Sequence, residues 1–568
     1  MSLRYTTFRV ISATILALAL SACSGSSRSS TSSAMPASAN PVQRENSRPG
    51  TSGWEVSAGA GTVITGYASE TSVAPGQSFH LHVAAPAGSQ YRVLVYRLGW
   101  YRGAGARLIM CVPGCRSAHA AIAQPPPTTP GSVTGLLRAP WRVTDSAEIP
   151  SDAVSGYYEA KLEIVAGPHA GAVGSVPLIV RQSLAAPASA VLVQVPVNTW
   201  EAYNPWGGKS LYQFGTSRHA FEVSFDRPFD QQTLYETVTK LELPWVRFLE
   251  RSGIDVSYQT DVDTDMAPGS LLQHRLVFAI GHDEYWTQRM RGAFDQALAL
   301  STNLVFGSNS GEWRMRYAAG RRTIVEWRDP AIDPAHNRSL DNGFFRTLGE
   351  PECQLMGVEH QWAAQRSLSA PPTSYTVLGP SSDPWLAAGG LAPGDVIPRV
   401  VGYEWDSFVP GCFRGQVVPL MTTRIPGSDG VSHSADMVRA TAPSGGRVFA
   451  MGTMELAWAL GDVDGRSRNP QLVRFVEAAV RDLTRPAPPA ALMIRHSATE
   501  LIMSAHLRAP DPRILRVIVR PLGGGAGCAD SLRSVCRLPL PRRTALYAVV
   551  AIDRWGASQP LTVTVDRG

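Results

Sequence analysis

Residues 276–286 read LVFAIGHDEYW, and this stretch decides the fold. Its opening apolar run is unbroken, as expected of a strand buried on both faces of a parallel sheet. Gly281 ends the run, and His282, Asp283, Glu284, Tyr285 and Trp286 follow in direct succession. A solvated loop has no need of so many titratable and aromatic groups, so chemistry is expected there. Just downstream, Met290, Ala293, Phe294, Ala297 and Leu298 fall at helical spacing, with Arg289, Arg291 and Asp295 off that face. The cluster therefore occupies the carboxyl end of a strand before a helix, where open α/β sheets gather ligands and catalytic groups.

The same rhythm extends to either side. VLVQVPV (191–197), IDVSYQT (254–260), NLVFGS (303–308) and GRVFAMG (446–452) are further strand candidates. LPWVRFLERSG (243–253) reads as a helix, with Pro244 suited to its first turn and Gly253 to its end. An α/β domain over residues 186–484, with helices on both faces of its sheet, follows from this alternation. Within it, 320–443 carries weaker signals and reads as including an insertion held by Cys353 and Cys412.

Residues 60–185 switch to short β-runs, among them SFHLHVA (78–84), YRVLVYR (91–97) and YYEAKLEIV (157–165), parted by Pro and Gly turns. That spacing predicts a β-sandwich of roughly 120 residues. In the last run Tyr158, Ala160, Leu162 and Ile164 share a face, so Tyr158 points inward or at whatever packs on the sandwich. After a Pro-rich linker at 485–491, residues 492–568 read as a second, small β-sandwich. The fold class is thus multi-domain α/β plus β.

The front of the chain carries Arg4, Arg9, an apolar run from Val10 to Leu20 and then Leu20-Ser21-Ala22-Cys23. It resembles a bacterial lipoprotein leader over residues 1–22, with Cys23 as the lipidated first residue of the mature chain. The run is too short to span a bilayer as a permanent helix. A flexible Ser-, Pro- and Ala-rich tether is expected over 23–59, which would hold the protein on the cell envelope. Loss of Arg4 and Arg9 with the leader lowers the formal charge from +6 to +4. Without clustered Lys and Arg, nucleic acid is not an expected partner. The six remaining cysteines form neighbouring pairs, Cys111 with Cys115, Cys353 with Cys412 and Cys528 with Cys536. An even count in an exported protein favours disulfides over metal thiolates.

His282 and Glu284, two apart, emerge on the same side of an extended chain, with Asp283 opposite. That suits a metal ligand beside an acid/base group, or an acid/base pair alone. The bland alternative is a helix start in which Asp283 or Glu284 caps free amides. NTWEAYNPWGGKSLY (198–212) is a loop rich in aromatics and glycine at another strand end, although Trp200, Tyr203 and Trp206 would equally plug a gap between domains. Asp261, Asp263 and Asp265 alternate as in a calcium loop but lack its Gly and terminal Glu, so capping acids are expected instead. Gly307-Ser308-Asn309-Ser310-Gly311 puts Asn309 where a nucleophile elbow carries Ser, which speaks against a serine hydrolase. GGGAG from Gly523 reads as a turn rather than a phosphate cradle.

YRLGWYRGAGAR (96–107), SGYYEAKL (155–162), NTWEAYNPWGGKSLY, VSFDRPF (223–229), TDVDTD (260–265) and GHDEYW (281–286) together resemble the large subunit of N,N-dimethylformamidase and its relatives, over about Gly66 to Leu483. The resemblance implies an immunoglobulin-like domain paired with an amidotransferase-like α/β domain. It also implies hydrolysis of an amide C–N bond at a mononuclear ferric iron held by two tyrosines and a glutamate, with a histidine beside them. Carried over by motif, the glutamate matches Glu284, the histidine His282 and one tyrosine Tyr203. The second tyrosine matches Tyr158, with Tyr157 as its rival. A small partner subunit or a homo-oligomer is a further expectation, since the family's characterised enzyme works with a small subunit.

Three functions stand side by side. One is an envelope-anchored, iron-dependent hydrolase of a small amide, with its site between the sandwich and the α/β domain. A second is a non-catalytic protein binding saccharide or peptide through exposed Trp100, Trp200, Trp206 and Trp286. The third is a sugar-modifying or cell-wall enzyme using Glu284 as a metal-free acid opposite a second carboxylate.

Overall fold

The predicted strand runs from Leu276 to His282 with all seven residues buried, in a computed structural model. It describes residues 39–131, 133–183, 185–212, 219–360, 372–426, 430–461, 467–489, 491–496, 500–507, 511–524, 527–530, 536–541 and 543–565. The leader 1–22 and Cys23 lie outside the described residues.

The central sheet has nine strands: β1 (Val191–Val195), β2 (Val256–Thr260), β3 (Leu276–His282), β4 (Asn303–Ser308), β5 (Thr373–Val377), β6 (Val396–Val401), β7 (Gln416–Pro426), β8 (Ser432–Thr441) and β9 (Arg447–Ala450). Their spatial order is β2-β1-β3-β4-β9-β8-β7-β5-β6. The first five are parallel, and the remainder pair antiparallel. Four helices matter to the site: α1 (Val197–Tyr203), α2 (Leu243–Arg251), α3 (Gln288–Ala299) and α4 (Pro470–Leu483).

Strand alternation explains how the parallel half is covered. Val191, Val193, Leu276, Phe278 and Ile280 join a core with residues of α2 and α4. Their neighbours Leu192, Val277 and Ala279 pack with Met290, Phe294 and Ala297 of α3. Thr287 caps α3 through its hydroxyl, which accepts from the Met290 amide. Arg291, expected off the apolar face, is buried because its guanidinium donates to the carbonyls of Glu350 and Pro351.

The sequence expectation needs correction in two respects. The stretch read as an insertion supplies β5 to β8, the antiparallel half of the sheet, pinned by Cys353–Cys412. The chain is β-rich with few helices, so the implied amidotransferase-like α/β domain is not supported.

Ahead of this domain stands a two-sheet sandwich. Thr65–Ala68, Ser78–Ala84 and Asp145–Glu148 form one sheet; Val173–Val180, Gly156–Ala166, Gln90–Leu98 and Ala106–Val112 form the other. Tyr158, Ala160, Leu162 and Ile164 face the core between them. Cys111–Cys115 closes a short loop on this domain.

The expected tether does not extend to residue 59. From Asn40 the chain is packed: Asn40 caps the helix Pro41–Asn46, Asn46 Nδ2 donates to Glu250 Oε2 at 2.9 Å, and Trp54 is 8% exposed. Glu250 also holds Arg97 of the sandwich at 2.6 Å, both side chains fully buried. The terminal residues form two small sheets joined in part by Cys528–Cys536. They dock through Arg275, whose buried guanidinium donates to Asp511 and Asp553. No helix among the described residues is long and apolar enough to cross a membrane.

Candidate active site

Chain order reverses between β1 and β3, which makes their carboxyl ends a topological switch point. Four strand ends deliver side chains there. After β1, Tyr203 is the last residue of α1. At the end of β3, Gly281 adopts φ +63, where an added Cβ would lie 2.7 Å from Glu242 Cγ. This coincides with a register shift against β4 between Ala279 and His282 and re-aims His282. Beyond β4, Asn309 sits at φ 49, its amide and the Ser308 hydroxyl both donating to Asp406 Oδ1 at 2.9 Å. After β6, Tyr403 at φ 59 introduces Glu404.

Glu284 is the hub. Its backbone N–H donates to Thr199 Oγ1 at 3.0 Å, fixing the chain. Its carboxylate accepts from Tyr212 Oη at 2.8 and 3.0 Å and from Trp313 Nε1 at 2.9 Å. Tyr285 Oη donates to Tyr212 Oη at 2.7 Å, and Arg328 Nη2 donates to Tyr285 Oη at 3.2 Å. A directed chain thus runs from a permanent cation through two phenols to the carboxylate. The Arg328 guanidinium lies over the Tyr212 and Trp313 rings, 4.5 and 4.6 Å from their centroids.

His282 bridges two acids, with Nε2 3.3 Å from Glu284 Oε2 and 3.0 Å from Glu404 Oε2. Asn309 Nδ2 donates to Glu404 Oε2 at 2.7 Å. Burial would lower the His282 pKa, but Glu404 and Glu284 outweigh it and raise it to about 10. Burial likewise opposes ionisation of Glu404, which His282 overrides, holding it at about 2. Both shifts favour an imidazolium beside a carboxylate. Tyr203 stacks on Tyr212, centroids 4.2 Å apart, and lies 5.4 Å from the His282 ring. Burial and then Glu284 push both phenols well above their ordinary value.

Tyr203, His282 and Glu284 therefore come together. Tyr158 does not join them: its hydroxyl donates to the Val154 carbonyl four residues upstream, at 2.7 Å, the corner role of a sandwich tyrosine. Its charged surroundings are Arg97, Glu45 and Arg107. Tyr157, the rival, donates to Glu242 Oε2 at 2.7 Å, beside Trp200. The phenol bonded to Glu284 is Tyr212, the last residue of the aromatic loop and one to which the sequence assigns no role. Glu404, Tyr403 and Arg328 carried no motif. In the sequence Asn309 is notable only for not being serine, yet its positive φ is the elbow that aims its side-chain amide at Glu404. Asp283 faces the opposite way, accepting from Gln194 and Trp286.

The site also departs from its expected place. A cleft of about 630 Å³ does lie between the sandwich and the central domain, reaching Ser72, Arg181 and Asp263, but none of the Glu284 cluster lines it. Nor are the tryptophans an exposed platform, since Trp200 and Trp286 are 2% and 0% exposed.

The family model described as N,N-dimethylformamidase beta subunit-like, C-terminal, matches residues 92–469. The chain belongs to this family. The matched span contains every residue of the Glu284 cluster and omits the small terminal sheets. No curated protein matches. Among solved structures, similar chains include a two-domain fibronectin type-III segment of chicken tenascin, at 13% identity and TM-score 0.13, covering 37% of this chain and 98% of that one. Chitinase ChiA74 from Bacillus thuringiensis aligns at 11% identity and TM-score 0.14, over 54% and 61%. At such TM-scores neither likeness bears on the fold or the site.

Among the described residues, no group of three or more His, Cys, Asp or Glu side chains could hold a metal ion. Phenol oxygens would have to share in any such site. Tyr203, Tyr212 and Glu284 supply the hard oxygen donors that suit ferric iron. Burial, and then the Glu284 carboxylate, disfavour ionisation of both phenols, and a cation among these oxygens would favour their ionised forms, which is how the residues present would fit the ion.

Proposed function

We propose that this chain is an iron-dependent hydrolase of a small-molecule amide, with Tyr203, Tyr212 and Glu284 as the residues that would hold the ion. The observation that carries the reading is Tyr212 bonded to Glu284, with Tyr203 stacked on Tyr212, beside the His282–Glu404 pair. Bound there, ferric iron would polarise the amide carbonyl and lower the pKa of water. The protein's own groups do the rest. His282 holds a proton between Glu284 and Glu404, within reach of a leaving amine. Asn309, fixed by Asp406, keeps Glu404 facing the imidazole, and Arg328 with Tyr285 fixes the Tyr212 hydroxyl.

Family membership supports hydrolysis of a C–N bond and, through the name "beta subunit", a partner subunit as part of the same proposal. Anchorage to the cell envelope through Cys23 rests on the leader alone. Replacing Glu284 by Gln or Tyr203 by Phe is expected to abolish both iron binding and amide hydrolysis. Full hydrolysis by Glu284→Gln would refute the assignment.

A further inference from the structure

A second pocket, of about 360 Å³, opens on the outer face of the sandwich strand Gly156–Ala166. Trp54 and Glu55 of the N-terminal strap line it on one side, and Leu234, Tyr235 and Val238 on another. The last two belong to the π-helical run Tyr235–Glu242, a rare conformation that recurs at functional positions. Glu159 lines the pocket from the strand, with Tyr157 on the same face two residues earlier.

The Glu159 carboxyl has a hydrogen-bonding neighbour in Ser175 of the adjoining strand, but this does not satisfy both of its oxygens. Its Oε1 is buried and has no hydrogen-bond partner among the described residues. Burial pushes the carboxyl up to about 8, with Lys161 the main opposing influence. The Lys161 ammonium is itself committed to the strap, donating to the Gly53 and Glu55 carbonyls at 2.7 and 3.2 Å. A carboxyl retained among aromatic and aliphatic walls, one oxygen unmet and its charge disfavoured by burial, suits a cation with an apolar body, because a bound cation restores the charged form. An anion would meet Glu55 and Glu159, while a neutral hydrocarbon would leave Oε1 unsatisfied.

We propose that this pocket binds a small alkylammonium ion, its N–H groups on Glu159 and its chain against Leu234, Tyr235 and Val238. The inference stands whether or not the Glu284 cluster hydrolyses amides, because no residue is shared between the two sites.

The test is calorimetric titration of the full chain with n-butylammonium chloride, at ionic strength fixed with sodium chloride, alongside n-butanol. Saturable one-to-one binding is expected for the cation and none for the alcohol. Glu159→Gln keeps the shape and should weaken binding at least tenfold, with the melting temperature showing that the variant is folded. Val238→Trp, which fills the pocket from the helix side, should abolish binding independently. Equal binding of butanol, unchanged affinity in Glu159→Gln, or no saturable binding to the unmodified chain would each overturn the proposal.

Discussion

Tyr212→Phe isolates the one hydrogen-bond donor that grips both oxygens of Glu284. The hydroxyl donates to a buried carboxylate at 2.8 and 3.0 Å and accepts from Tyr285 at 2.7 Å. A hydrogen bond to a charged group contributes about 1.5–3 kcal/mol. Tyr285 loses its acceptor as well, although Arg328 still donates to it, so a further cost of about 1 kcal/mol is expected at most. The ring remains under the Arg328 guanidinium and stacked on Tyr203, so no cavity opens. The loss should therefore be about 1.5–4 kcal/mol, read as a lower urea midpoint with an unchanged slope. Tyr203→Phe serves as the contrast. Its hydroxyl interacts with that of Tyr403 but makes no bond to Glu284, so its loss should cost less than about 1 kcal/mol. A Tyr212→Phe protein within about 0.5 kcal/mol of the parent would show that the chain from Arg328 to Glu284 does not form.

Three further outcomes are expected. His274 is buried, its Nδ1 against the Ser189 carbonyl, and burial lowers its pKa to about 4 from 6.5. The unfolded chain takes up that proton first, so the stability it contributes is complete above pH 6.5 and is lost as pH falls through about 4. The difference amounts to at most about 3 kcal/mol, and a His274→Gln protein should lack that part of the pH dependence in parallel melts. Arg275→Ala leaves Asp511 and Asp553 without their shared partner, a loss of about 3–5 kcal/mol that should appear as faster proteolysis within residues 492–568. Gly281→Ala forces an L-residue to φ +63 against Glu242, costing about 1–3 kcal/mol and displacing His282. Hydrolysis should fall with it, and an active, fully stable Gly281→Ala protein would deny the bulge its role.

Much of the parallel half was legible because period and burial coincide: LVFAI has no polar residue to mislead, and His282 and Glu284 two apart do reach one another. Tyr158 misled because motif order cannot distinguish a sandwich tyrosine that binds its own backbone from one that faces a site. Tyr212 was hidden for the opposite reason, lying at the end of a loop without periodicity, where only the fold brings its hydroxyl to Glu284. Glu404 arrives from the antiparallel half, across a stretch whose mixed strands read as an insertion. Helix Asp261–Met266, with Asp263 in its capping box, shows local chemistry succeeding where long-range pairing is not required.

The most direct test is elemental analysis of the full chain purified without chelators, together with its visible absorption spectrum. Iron equimolar with protein and a phenolate-to-iron band, both lost in Tyr203→Phe and in Glu284→Gln, are the predicted result. A colourless, metal-free protein that still hydrolyses its amide would contradict it.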